Sequence, residues 1–430
     1  MAVGRRLHRG LGRDDPARAG AVVDDELLAE ALAERLGDDA TDEIGVAARG
    51  LGDDEAHRPF RIIGSCLGVR AAGDDGKRER ARDGIKRLRH DSLHKRGWTL
   101  PSGAQAMKSY WIRHVGGSAI LELREQPTPT PGPGQMLLRV RATSLNRGDL
   151  LGAIAFHRAA EGRPAGVDAA GEVHALGEGV EGFKPGDRVM ARSRGCFAEY
   201  VLVDPALATP IPEQVSWEEA AAIPISYVTA WEALIQFGRL KAGEWLLVVG
   251  ASSGVGVASI QLGKVLGAKV IGVSGSEAKL AKLRDLGLDV GIRARGEDFS
   301  AEVLAETGGR GVDLAVNLVG GTVFGACQRS LANFGRLAVV GYVDGVMKTE
   351  LDLESTHGKR LEIFGISNAP LTPAMRAEAT LGFNRDVMPA IADGRIPPVI
   401  DRVFAFDQLP MAKAYVESNA QIGKVIVRLD

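Results

Sequence analysis

Residues 243–275 read GEWLLVVGASSGVGVASIQLGKVLGAKVIGVSG. Trp245–Val249 is a continuous apolar run, as a strand buried on both faces requires. Gly250, Ala251, Ser252, Ser253, Gly254, Val255 and Gly256 follow as a turn of small residues. Val257–Leu266 carries apolar residues at helical spacing, suited to packing on a sheet. Lys269–Val273 is a second apolar run, closed by Ser274, Gly275 and Ser276. Strand, glycine turn, helix and strand in this order predict a βαβ unit over 243–276. In such a unit small turn residues let backbone N–H groups approach a pyrophosphate. The helix N-terminus adds unpaired donors and a positive dipole. The expected ligand is a nicotinamide dinucleotide, which points to an NAD(P)H-dependent oxidoreductase.

The end of the second strand bears on which nicotinamide. An NAD site ordinarily places an acid there, roughly 20 residues on, to hold the ribose diol. Ser274-Gly275-Ser276 leaves room for a 2′-phosphate that a carboxylate would repel, and Lys279 follows within one helical turn and could pair with it. Glu277 suits the first turn of a helix, where acids favour the dipole. NADPH is therefore favoured over NADH. The loop also resembles that of the short-chain dehydrogenases, which carry a Tyr-x-x-x-Lys pair. The residues four positions beyond Tyr110, Tyr200, Tyr227, Tyr342 and Tyr415 are His114, Asp204, Trp231, Val346 and Asn419, so that pair is missing.

The chain has 430 residues, 45% hydrophobic and 25% charged, with a formal net charge of −2. That length allows two or three domains, and the balanced charge gives no reason to expect nucleic acid or an anionic membrane as partner. No apolar run approaches the roughly 18 residues of a membrane span, and the N-terminus lacks a secretory apolar core. Cys66, Cys196 and Cys327 are odd in number and far apart, which fits a reducing cytoplasm and provides no cysteine-rich zinc site.

Residues 1–106 hold 19 Lys+Arg and 19 Asp+Glu, with Phe60 and Trp98 as their only aromatics. Such a segment buries too little apolar surface to offset its ordering entropy. It is expected to be a disordered extension, or upstream sequence read as coding, with Met107 as the natural start; the mass of the natively expressed chain tests this. Asp25–Leu36 has helical periodicity, and the basic run Lys77–Arg96 reads as a solvated charge run. From Gln135 to Ala208 short strands alternate with glycine turns, suggesting a β-barrel-like domain. Trp217–Gly238 reads as helical. Beyond Gly243 strands and helices alternate, as for a doubly wound parallel sheet of α/β class. Pro373–Gly394 reads as a long helical stretch, and Lys424–Leu429 as a final strand.

Residues 107–430 resemble the medium-chain dehydrogenase/reductase superfamily, in its zeta-crystallin-like quinone oxidoreductase branch. The matching landmarks are Asn146-Arg-Gly-Asp149, Gly166-Val-Asp168-Ala-Ala-Gly171, Phe183-Lys-Pro-Gly-Asp187, Gly195-Cys-Phe-Ala-Glu199, Val228-Thr229-Ala-Trp, the glycine loop and Gly308-Gly-Arg-Gly-Val-Asp313. The resemblance implies a GroES-like catalytic domain (107–229), a Rossmann domain (230–370) and a C-terminal return to the catalytic part (371–430). Zinc-dependent relatives have Cys at the place of Asn146 and Gly-His-Glu at the place of Gly166-Val167-Asp168, and they add a cluster of four cysteines. No metal is expected, because three protein ligands cannot be assembled; His157 and His174 read as surface or cleft residues. Asn146 is expected beside the nicotinamide as donor to a developing oxyanion, with Asp149 orienting it or relaying a proton. Thr229, Asn317, Val319, Gly341, Tyr342, Ser367 and Lys424 are implied to border the cofactor.

Two departures from the pattern stand out. Ala294 replaces a tyrosine that flanks the 2′-phosphate, for which Arg293 and Arg295 could substitute. Leu151 stands near the place of a substrate-side tyrosine, and Ala153–Arg163 is unlike the family pattern. The expected reaction is hydride transfer to a quinone or α,β-unsaturated carbonyl. Alternatives are a zinc-free alcohol or enoyl-thioester reductase, and an NADPH-binding structural or regulatory protein with little turnover. A homodimer is expected through the apolar strand Leu361–Ile366.

Overall fold

The computed structural model describes residues 105–115, 118–150, 162–296 and 298–430. The expectations for residues 1–104, Leu151, His157 and most of Ala153–Arg163 lie outside them. The described residues all belong to one compact unit.

Ala106–Val115 (β1) pairs antiparallel with Ser118–Pro127 (β2) and, at its centre, with Arg163–Pro164 (β4). The glycine-punctuated stretch builds a second, larger sheet from Met136–Leu145 (β3), Asp168–Leu176 (β5), Arg188–Arg192 (β6), Tyr200–Val203 (β7) and Ala208–Pro210 (β8). The C-terminal strands Ile400–Ala405 (β15) and Lys424–Arg428 (β16) complete it, in the order β15-β16-β3-β5-β6-β8 with β7 also on β3. Gly171 is required here, because a Cβ would stand 2.2 Å from the carbonyl oxygen of Arg139 on the neighbouring strand.

The third sheet contains Trp245–Val249 (β9), Lys269–Ser274 (β10), Val290–Arg293 (β11), Val312–Asn317 (β12), Leu331–Val339 (β13) and Glu362–Gly365 (β14). Its order is β11-β10-β9-β12-β13-β14, and all five neighbouring pairs are parallel. Leu246 and Val248 enter one apolar core, Leu247 and Val249 another. Successive residues face opposite sides of a strand, so a strand covered on both faces must be apolar throughout. The architecture is α/β, a doubly wound parallel sheet and a separate β domain.

The helical stretch from Trp217 is divided by Pro224. Trp217–Ala222 starts with a Ser216/Glu219 capping box, and Pro224 opens a second helix, Pro224–Trp231. Proline lacks the N–H a helix interior needs but suits a first turn. The 229/230 boundary implied by the resemblance thus falls inside a helix. A π-turn, Glu232–Gln236, follows directly. The stretch from Pro373 likewise divides into Pro373–Asp386 and Met388–Ala392, with Pro389 in the first turn of the second.

Candidate functional site

Parallel pairing places Val273, Val249, Asn317, Val339 and Gly365 on one rung across β10, β9, β12, β13 and β14. Ser274, Gly250, Val319, Gly341 and Ser367 each lie one or two residues beyond it, at the carboxyl edge of the sheet. β9 and β12 flank the point where strand order reverses, which opens a crevice between the loops that leave them. Those loops touch, since a Cβ on Gly250 would meet Leu318 and Val319 at 3.2 and 3.3 Å.

The glycine loop is held by its own backbone. The N–H groups of Gly250 and Ala251 both donate to Val273 O at 3.1 Å, and that of Ser253 to Gly250 O. Ser253 caps helix Gly254–Val265 by accepting from Gly256 N at 3.1 Å. Among the described residues no protein acceptor takes the N–H of Ser252, Gly254 or Val255. Three such donors at a helix N-terminus fit a pyrophosphate. Gly256 is demanded by packing, because a Cβ would lie 2.5 Å from Gly250 O.

At the far end of β10, Ser274 is buried and Ser276 caps helix Glu277–Arg284. Arg295 lies over Gly275, where a Cβ would stand 2.7 Å from its Nε. Lys279 has a further job, donating to the carbonyls of Asn419 and Gln421 at 2.6 and 2.8 Å. Burial holds its ammonium below the ordinary lysine range. The buried side chain of Asn317 is spent on its own turn, donating to Gly320 O and accepting from the N–H groups of Val319 and Gly320. Asn317 therefore shapes the loop that presents Val319. Thr229 is buried in helix Pro224–Trp231, Tyr342 is half-buried after β13, and Ser367 is exposed after β14.

The two candidate catalytic residues join a polar cluster. Asn146 Nδ2 donates to Asp168 Oδ2 at 2.8 Å and to Asp149 Oδ2 at 3.3 Å, while its Oδ1 accepts from Lys424 Nζ at 2.6 Å. Both amide hydrogens are thus engaged, and donation to an oxyanion would require one to be released. Asp168 is fully buried and accepts from Ser144 Oγ at 2.8 Å, from the Ile225 N–H at 3.0 Å and from Lys424 Nζ at 3.3 Å. These charge-assisted bonds compensate its burial. Half-buried Asp149 has fewer donors. Burial, then the neighbouring Asp168 charge, pushes its carboxyl up to about 7, against the Asn146 hydrogen bond and the charges of Lys424 and Arg163.

Asp168 belongs to the site although the sequence marked it only as a place where zinc-dependent relatives differ. Arg192, its register partner on β6, is a second residue that sequence reasoning missed. Its buried guanidinium donates to Asn368 Oδ1, the Arg376 carbonyl and Thr380 Oγ1, all at 3.2–3.3 Å. A charged Arg192 closing the apolar run Val189-Met190-Ala191 was the available signal. Cys196 and Cys327 are buried, and burial pushes both thiols up. Among the described residues no group of three or more His, Cys, Asp or Glu is placed to hold a metal ion. No helix among them is long and apolar enough to cross a membrane.

The family of alcohol dehydrogenase GroES-like domains matches residues 132–213, and that of zinc-binding dehydrogenases matches 254–378. A Pseudomonas syringae quinone oxidoreductase structure is similar with a TM-score of 0.68 and 26% identity, covering 75% of this chain and all of the other. The chain belongs to the medium-chain dehydrogenase/reductase superfamily, in its quinone oxidoreductase branch. A native mycobacterial member complexed with NADPH is similar with a TM-score of 0.69 and 26% identity, over 75% of this chain and all of the other. The spectinabilin polyketide synthase system protein NorB of Streptomyces orinoci is 31% identical over 336 residues, 76% of this chain. The chain spans only 15% of NorB's length. Membership supports a nicotinamide-dependent oxidoreductase.

Proposed function

We propose that the chain reduces a quinone or an α,β-unsaturated carbonyl with NADPH and without zinc. The observation that carries this reading is the hydrogen-bonded Asn146–Asp149 pair, joined through Lys424 to Gly254 of the glycine loop. Bound in the crevice, the nicotinamide supplies the hydride. The N–H groups of Ser252, Gly254 and Val255 hold the pyrophosphate. Arg295, with Ser274 and Ser276, receives the 2′-phosphate; a mycobacterial relative complexed with NADPH supports that preference. Thr229, Val319, Gly341, Tyr342 and Ser367 would border the bound cofactor and help to orient it. Asp149 would give its proton to the acceptor as the hydride adds, so a quinone would become a hydroquinone, its two new hydroxyl hydrogens coming one from the hydride and one from the proton, and an enone would take the hydride at its β carbon and the proton at its α carbon. An already electrophilic acceptor needs no Lewis acid, in keeping with Val167 and Asn146 at the positions of zinc ligands in metal-dependent relatives. Unpaired Cys196 and Cys327 fit a cytoplasmic setting.

Relatives named as polyketide synthases favour a second reading, an acyl thioester with a conjugated double bond as acceptor. Steady-state oxidation of NADPH and NADH against quinones, enones, enoyl thioesters and aldehydes separates the readings. Turnover with a conjugated acceptor, undiminished after chelation, supports the proposal. Zinc near one per chain, or activity only on simple alcohols and aldehydes, overturns it.

A further inference from the structure

Lys424 reaches the polar cluster by way of the glycine loop. Gly423 forms an isolated parallel bridge with Ser253, and its N–H donates to Ser252 O at 3.0 Å. The Lys424 stem then crosses Gly254, where a Cβ would stand 2.8 Å from Lys424 Cδ and 2.9 Å from Ser226 Oγ. The ammonium, almost fully buried, ends on Asn146 Oδ1 and Asp168 Oδ2. Behind it, Lys279 pins the carbonyls of Asn419 and Gln421, and Asp401 Oδ1 accepts from the Ile422 N–H at 3.0 Å. The segment 419–423 is therefore tied to helix Glu277–Arg284, to the glycine loop and to β15 immediately before β16 begins. Gly254 is small for the sake of this lysine as well as for a phosphate.

We infer that Lys424 is a positioning residue, laid across Gly254 so that the glycine loop sets the charge facing the Asn146–Asp149 pair. The charged groups facing Asp149 are Asp168 from β5, Lys424 from β16 and Arg163 from β4; Lys424 and Arg163 favour loss of its proton, and Asp168 opposes it. Lys424 acts on that proton through space and through Asn146. The inference rests on the proposed reaction only for its catalytic consequence.

The test is a pH titration of the Asp149 carboxyl, followed by carbon NMR in the full chain without cofactor or acceptor and assigned with Asp149→Asn. Lys424→Met should raise the midpoint by about one pH unit, because an opposite charge is lost. Lys424→Arg should restore it, and Asp168→Asn should lower it. Gly254→Ala, which keeps the lysine but obstructs its stem, should shift the midpoint in the same direction as Lys424→Met, and it serves if the buried substitutions do not fold. Opposite movements in Lys424→Met and Asp168→Asn carry the inference; equal movements, or none in Lys424→Met and Gly254→Ala, overturn it. A protein that shows the predicted titrations but reduces no acceptor refutes the proposed reaction and leaves the role of Lys424 intact.

Discussion

In the proposed reaction Asp149 sets the pH behaviour of the site. Its carboxyl is raised from 3.8 to about 7, so it is protonated below pH 7 and loses its proton above. The rate of reduction should fall as pH rises through about 7, and Asp149→Asn should remove that limb while lowering kcat by roughly 100-fold. The same shift bears on stability. Between 3.8 and about 7 the folded chain holds a proton that the unfolded chain has released, so this group's contribution to stability declines as pH rises across that window. Denaturant titrations at pH 5 and pH 8 should show the decline in the wild type and a smaller one in Asp149→Asn. Arg295→Ala should raise KM for NADPH by roughly tenfold, as a charge-assisted contact is lost, and leave KM for NADH unchanged. Asn146 and Asp149 were candidates through the family resemblance, which marks the stretch Asn146-Arg-Gly-Asp149. Asp168 was not, because its ion partner Lys424 is 256 residues away and becomes a neighbour only when β16 pairs with β3.

At the scale of elements, apolar runs revealed the parallel strands well because those strands are buried on both faces. Helix divisions were less visible: Pro224 and Pro389 start new helices, and an apolar pattern continues across each break. Gly256 was legible as a phosphate-loop glycine, but its tighter constraint is the carbonyl of Gly250. Gly256→Ala should therefore weaken NADPH binding and also lower Tm, measured on the chain without cofactor. Another constraint is long-range. Arg336 of β13 donates to the carbonyls of Gly238 and Arg239 and to Glu244 Oε2 at 2.6 Å, tying the sheet to the turns that precede β9. The arginine is buried and Glu244 partly exposed. Arg336→Met should cost about 3 kcal/mol in urea unfolding, chiefly by stranding its partners; a loss within experimental error would show the tie to be dispensable.

For the whole molecule, alternation of strands and helices implied a doubly wound sheet, and the observed order places the glycine loop at its reversal point. The return of β15 and β16 to the sheet of β3 followed from the family resemblance, since local patterning does not say where a terminal strand pairs. β14 is an outer strand of the parallel sheet, and near it Phe237 packs on Phe364 while Phe334 is 64% exposed. We propose that a second copy covers this edge, which an apolar strand would otherwise leave open to aggregation. Light scattering should give a dimer, and Ile363→Lys a monomer with Tm near that of the wild type; a monomeric wild type would remove the proposal. Hydride transfer to a conjugated acceptor is tested most directly by single-turnover absorbance with NADPH deuterated at the transferred position. Decay of the nicotinamide band with a quinone, enone or enoyl thioester, slowed by the deuterium, is the predicted result. Saturable NADPH binding with no decay against any of them would contradict it and mark the chain as a cofactor-binding protein with little turnover.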